Sequence, residues 1–183
     1  RYNELLLIQT FHQSLDEAML ETIKTFYLAH FPALIPVYND RSQGNSRITN
    51  TLPEEELAAA LKPHVAHEMG VSYAIQGRHG GQDPWLFLDL RAGRRRVMAE
   101  APGKSVLNLF AYTCGVGIAA AAAGARSVLN IDFAETSLSI GKENARLNTL
   151  AVRPRFVKSD AFAALRRSCR HQSGRHPRLR LNP

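Results

Sequence analysis

The sequence predicts an α/β fold in which a parallel sheet follows a smaller α+β region, and three observations carry that prediction. From Lys104 onward, short apolar runs alternate with longer helical stretches in the order strand, glycine loop, helix, strand, helix, strand. That rhythm belongs to a parallel sheet with crossover helices. Gly115 and Gly117 punctuate the connection between the first apolar run and the first helix, and Asp132 and Asp160 close the second and third runs.

In chain order, residues 15–30 place Leu15, Met19, Ile23, Phe26 and Phe31 at helical intervals, and Ser14 followed by Glu17 has capping-box spacing. A β-type run comes next at 34–38, then a polar, glycine-containing loop or hairpin tip at 41–51. Pro53 with Glu54, Glu55 and Glu56 opens a second helix, and Gly70 is a plausible stop for the segment beyond it. Two strands are expected at 71–76 and 85–90, joined by a turn-rich connector. Residues 91–101 are expected to be helical until Pro102-Gly103 breaks them. That break divides the chain into an α+β region at 1–102, a sheet region at 103–165 and a basic loop or tail at 166–183. Within the sheet region, strands are expected at 105–110, 127–131 and 155–158. The alanine-rich run 115–125 and residues 135–150 are expected as helices.

With 45% hydrophobic and 21% charged residues the composition is that of a globular protein, and no apolar run is long enough to span a membrane. The chain starts at Arg1 with no leader-like segment, so the sequence reads as a trimmed piece of a cytoplasmic protein. Two isolated cysteines, Cys114 and Cys169, suit a reducing compartment. His64 and His67, at i, i+3, would need a third ligand to hold a metal; none is evident nearby, and no metal site is assigned. The net charge of +7 invites an RNA partner, but Arg166, Arg167, Arg170, Arg175, Arg178 and Arg180 supply most of it. A second basic run, Arg94-Arg95-Arg96, is either a solvated helix face or a phosphate contact.

Ligands of open parallel sheets sit beyond the C-terminal strand ends, so the loop 108–117 decides what is bound. Its glycines admit a close ligand, and the helix after it favours an anionic group such as a carboxylate. Asp132 is placed to accept hydrogen bonds from ribose hydroxyls, and Asp160 to accept one from an adenine amino group. Together they describe an adenosine-containing ligand. Residues 115–120 also satisfy the G-x-G-x-x-A fingerprint of NAD-binding oxidoreductases. However, residues 111–114 separate the strand from the glycines and would displace the pyrophosphate turn.

The run Val106-Leu107-Asn108-Leu109-Phe110-Ala111-Tyr112-Thr113-Cys114-Gly115 resembles the cofactor motif of large-subunit ribosomal RNA methyltransferases of the cytosine-C5 and related guanine type. Gly124-Ala125, the pair Asn144 and Asn148, and Ser159-Asp160 match as well, and 86–91 with Arg94 and Arg95 resembles that family's F-L-D-x-R-x-x-R signature. The resemblance covers about residues 70–165. It implies a Rossmann-like, S-adenosyl-L-methionine (SAM)-dependent methyltransferase acting on a base in RNA, ribosomal RNA foremost. A non-catalytic RNA-binding protein remains the alternative from another class.

The same resemblance implies that Asn108, Phe110, Tyr112, Thr113 and Gly115 line the SAM pocket, that Asp132 holds the ribose and that Asp160 holds the adenine edge. Phe133 would stack on the adenine, and Asp89 and Arg91 would reach over the cofactor, Arg91 towards its carboxylate. Where the family has Thr-Gly this chain has Thr113-Cys114, and the position of Cys114 in the cofactor loop argues for a packed thiol over a nucleophile. The family's D-P-P or N-P-P motif does not occur before Pro183. The catalytic residues are therefore expected outside this stretch, and a sheet ending after three strands is expected to leave an open edge, with marginal stability and aggregation.

Overall fold

The structure is a computed structural model that describes residues 1–79 and 84–170, with side chains described through residue 166. It divides into two compact units, Arg1–Phe87 and Leu88–Pro183.

In the first unit β1 (Leu5–Thr10) and β2 (Ile35–Asp40) pair in parallel, Leu5 opposite Ile35, and α1 (Glu17–His30) lies between them in sequence. A single 3-10 turn, Gly44–Ser46, interrupts the polar loop after β2. After α2 (Glu54–Leu61), an antiparallel hairpin of β3 (His64–Glu68) and β4 (Val71–Ile75) completes the unit. Leu5, Val37, Tyr73 and Ile75 are fully buried in its core.

Over residues 1–90 the structure differs from the expected elements in three places. The cap of α1 is Asp16, which accepts from the Met19 amide at 2.7 Å. Ser14 lies two residues ahead of that cap, and its hydroxyl donates to Asp40 Oδ2. Neither β1 nor β3 was anticipated: Pro63 ends the helix early, and Gly70, at φ +78°, turns the hairpin after β3. Because β3 is a strand, His64 and His67 point to opposite faces. His64 is buried against the Ala59 carbonyl and Glu4, while His67 bonds Ser72 on the exposed side. Lastly, 85–90 forms bends and a turn in place of a strand. The Leu86 carbonyl accepts the Tyr2 hydroxyl at 2.6 Å, and Arg91 N bonds Leu88 O to begin the next helix.

In the second unit, β5 (Ser105–Leu109), β6 (Ser127–Asp132) and β7 (Arg155–Lys158) form a parallel sheet in the order β5-β6-β7. Crossovers run through α4 (Gly115–Ala122) and α5 (Glu135–Arg146). Parallel pairing demands such connections, and the expected alternation is observed. The element α3 (Arg91–Glu100), expected to belong with the N-terminal region, instead packs on α4. Val97 packs against a cluster of Ala101, Ala120, Ala121, Ala125 and Val128. Alanine on α4 leaves room for neighbouring elements to approach closely, and the second unit includes α3, ahead of Pro102. Arg94 is only 1% exposed, so it does not belong to a solvated face. Arg95 and Arg96 are exposed, and Arg96 pairs with Glu100.

The basic segment expected as a loop from Arg166 begins as helix, since α6 (Ala161–Arg170) reaches into it. Asp160 Oδ1 accepts from Ala163 N at 2.8 Å, which caps a run of good helix formers. Residues 171–183, with the rest of the expected tail, lie outside the described residues.

Candidate cofactor site

The loop between β5 and α4 takes an unusual backbone path. Phe110, Tyr112 and Cys114 all have positive φ, at 52°, 49° and 62°. Left-handed conformations of non-glycine residues cost about 1 kcal/mol or more each, and persist only where the surroundings over-determine them. Here several contacts do so. Ala111 N donates to Ile131 O at 3.0 Å, and Cys114 N to Ala111 O at 2.7 Å. Asp132 Oδ2 accepts from Tyr112 N at 2.8 Å, while its Oδ1 accepts from Ala134 N at 2.9 Å. The buried carboxylate thus fastens the loop after β5 to the turn after β6.

Asn108, on β5, donates through Nδ2 to Asn130 Oδ1 at 2.9 Å. Asn130 is fully buried, and a Cβ on Gly117 would meet its Oδ1 at 2.0 Å. Gly117 was expected to admit a ligand; the structure shows instead that it makes room for a buried side chain beneath α4. Gly115 opens α4, whose N-cap residue Cys114 makes no side-chain cap bond. An anionic group could therefore be received at the first-turn amides. Cys114 itself is buried, with its thiol pushed up to about 12 by desolvation and then by the charge of Asp132. A thiol so disfavoured as thiolate is a poor nucleophile, in keeping with a packing role.

Around the C-terminal strand ends stand aromatic rings that the protein leaves uncovered. Phe133 is 73% exposed, Phe110 64% and Phe162 60%. Phe110 and Phe162 meet edge to face with centroids 6.2 Å apart. Phe162 was missed in the sequence, although an aromatic two residues past the acid that closes a strand is a usable signal. Asp160 is exposed and spends one oxygen on capping α6. Asp89 and Arg91 lie on a different segment, at the start of α3. Both are exposed, and Asp89 Oδ1 accepts from the adjacent Leu90 amide at 3.0 Å. The structure therefore joins Asn108, Tyr112, Thr113 and Asp132 through one loop and its supports, and sets Phe110 beside Phe162.

This donor set is chemically suited to an adenosine: carboxylates for hydroxyl and amino groups, aromatic faces for a purine, and helix amides for an anion. A nucleoside-binding Rossmann-like domain is the class defined by fold and site. More narrowly, the S-adenosylmethionine-dependent methyltransferase family matches residues 58–169, and the chain belongs to that family. Its cofactor is SAM, and the dinucleotide alternative is set aside. Among relatives, the ribosomal RNA large subunit methyltransferase I of Aeromonas salmonicida (strain A449) is 38% identical over 106 residues, 57% of this chain and 26% of that protein. The K/L enzyme of Shewanella sp. (strain ANA-3) is 30% identical over 188 residues, covering 100% of this chain and 26% of its own length. The chain thus spans about a quarter of these relatives. Among solved structures, the candidate methyltransferase SMU.776 complexed with SAH superposes with a TM-score of 0.73 at 24% identity, over 93% of this chain and 43% of that one. At that identity the likeness supports the fold.

Proposed function

We propose that this chain forms the methyl-donor-binding part of an enzyme that methylates a base in large-subunit ribosomal RNA, in the cytoplasm. The observation that carries the proposal is the strained loop 110–114, locked to Asp132 and rimmed by uncovered aromatic rings. The names of the relatives supply the acceptor class. SAM, when bound, supplies an electrophilic methyl group on a sulfonium.

In this proposal Asp132 accepts from the ribose hydroxyls with the lone pairs its backbone bonds leave over. Phe133 lies against the adenine, and Asp160 accepts from the adenine amino group. Asn108, Phe110, Tyr112 and Thr113 line the pocket, and the amides from Gly115 onward receive the carboxylate. Asp89 and Arg91 approach the cofactor from the start of α3. These residues orient the donor, so their contribution to rate is proximity and alignment. Three features of the structure favour these roles: the exposure of the rings, the uncapped start of α4 and the position of both acids at strand ends.

Calorimetric titration of the intact protein with SAH, followed by transfer of labelled methyl from SAM to ribosomal RNA, tests the proposal. Saturable SAH binding, weakened at least about tenfold by Asp132→Ala, is expected from loss of charge-assisted hydrogen bonds. Labelled methyl should appear in large-subunit RNA. Salt-sensitive RNA binding with neither SAH binding nor transfer would instead identify a non-catalytic RNA-binding protein.

A further inference from the structure

The cofactor loop is held from a second side by a residue that the proposed pocket does not include. Asn144, on α5, is fully buried, and its Nδ2 donates to the Thr113 carbonyl at 2.9 Å. Thr113 lies between Tyr112 and Cys114, two of the three left-handed residues. One turn earlier on the same helix face, Gly141 allows equally close approach: a Cβ there would come within 2.6 Å of Cys114 Sγ. Asn148 then donates through Nδ2 to the Asn144 carbonyl at 2.7 Å, which anchors the end of α5. The face of α5 carrying Gly141 and Asn144 is therefore shaped to the loop. Asp132 and Ile131 hold the same loop from β6.

From this juxtaposition we infer that Asn144 is a positioning residue for the methyl donor. It acts through Thr113, fixing the backbone of residues 112–114 in the conformation that the donor meets. The side-chain type is dictated by the chemistry. An amide donates to a carbonyl without carrying charge into a buried site. Alanine would leave that carbonyl without this donor, and an ionised aspartate would set an anion against it. The inference rests on the assignment of the loop to the methyl donor.

The test uses the intact protein, with SAH as the titrant and amide hydrogen exchange as the second readout. Asn144→Ala is expected to weaken SAH binding about tenfold, the effect of one buried hydrogen bond. It should speed exchange at the Ala111 and Cys114 amides while the β5–β6 amides keep their protection. Asn144→Asp separates positioning from mere packing. Its carboxyl, raised by burial, should donate to Thr113 when protonated and repel it when ionised. SAH affinity of that variant should therefore recover as the pH falls from about 8 to about 5. Wild type and Asn144→Ala should show no such recovery.

Should Asn144→Ala fail to fold, the pH response of Asn144→Asp still decides the matter. Wild-type SAH affinity in Asn144→Ala with unchanged loop exchange would overturn the inference. So would an Asn144→Asp variant whose affinity shows no recovery on acidification. A wild-type protein that bound no SAH would overturn the methyl-donor assignment as well, so the two failures are distinguishable.

Discussion

Replacing Gly117 by alanine should destabilise the second unit by about 3 kcal/mol, and the magnitude is set by the ground that the new methyl would occupy. Its carbon would lie 2.0 Å from Asn130 Oδ1 and 2.9 Å from Asn130 Cγ, well inside ordinary contact of about 3.5 Å. Asn130 is fully buried and tied at both ends, accepting from Asn108 at 2.9 Å and donating to the Arg155 carbonyl at 3.3 Å. Making room means moving that amide and breaking these bonds. Overpacking of this kind costs roughly 1–3 kcal/mol, and a buried amide left unsatisfied costs roughly 1–3 kcal/mol more. Against this stands about 1 kcal/mol gained because alanine is a better helix former than glycine. Urea unfolding monitored by circular dichroism would read the difference, and a thermal melt should show a fall of roughly 15 °C in melting temperature for a unit of this size. In an Asn130→Ala background the same methyl should cost much less, a non-additivity that marks direct contact. A Gly117→Ala protein as stable as wild type, or more stable, would refute the reasoning. Loss of SAH binding without loss of stability would show that the glycine serves the ligand after all.

The same geometry gives three further outcomes. Gly141→Ala sets a methyl 2.6 Å from Cys114 Sγ and 3.2 Å from the Phe156 ring, so a loss of roughly 1–3 kcal/mol is expected in urea titration, partly relieved by Cys114→Ala. Phe133→Ala and Phe162→Ala remove exposed rings; each should weaken SAH binding by about 1–3 kcal/mol in calorimetry, by analogy with base–aromatic stacking, and leave the melting temperature nearly unchanged. Burial holds the Cys114 thiol protonated up to about 12 against an ordinary value of 9.0. Its contribution to stability is therefore complete below pH 9 and declines between pH 9 and about 12, because only the unfolded chain ionises there. Alkylation of the Cys114 peptide, read by mass spectrometry at pH 8, should be slow in the native protein and fast in urea; rapid native alkylation would contradict the burial argument.

The second unit was legible in the sequence because its signals reinforce one another. The apolar runs of β5, β6 and β7 and the alanine run of α4 keep their type under any packing, and Asp132 and Asp160 mark strand ends. The first unit was harder. In β3 the residues His64, Ala66 and Glu68 face inward while Val65 and His67 face out, so burial runs against the polarity of the letters. Leu86, Leu88 and Leu90 alternate like a strand, yet among the described residues no partner strand receives them, and the Tyr2 hydroxyl claims one carbonyl. At the candidate site, the sequence singles out the acids and the loop, whereas the supporting roles of Asn130 and Asn144 come only from the structure. Those roles depend on how closely α4 and α5 approach the sheet and the loop, which no spacing along the chain encodes. Positive φ at Phe110, Tyr112 and Cys114 was equally hidden, since none of these residue types favours that conformation by itself.

A loop fastened at Tyr112, Thr113 and Ala111 by groups of the protein itself owes its order to the fold. The entropy of ordering it is charged to folding and is absent from the association step. A ligand entering here meets a rigid receptor, so binding should proceed in a single kinetic phase with no slow rearrangement of the loop. Substitutions that loosen its fastenings would shift that ordering cost into the binding equilibrium, weakening affinity even where every ligand-touching atom is kept.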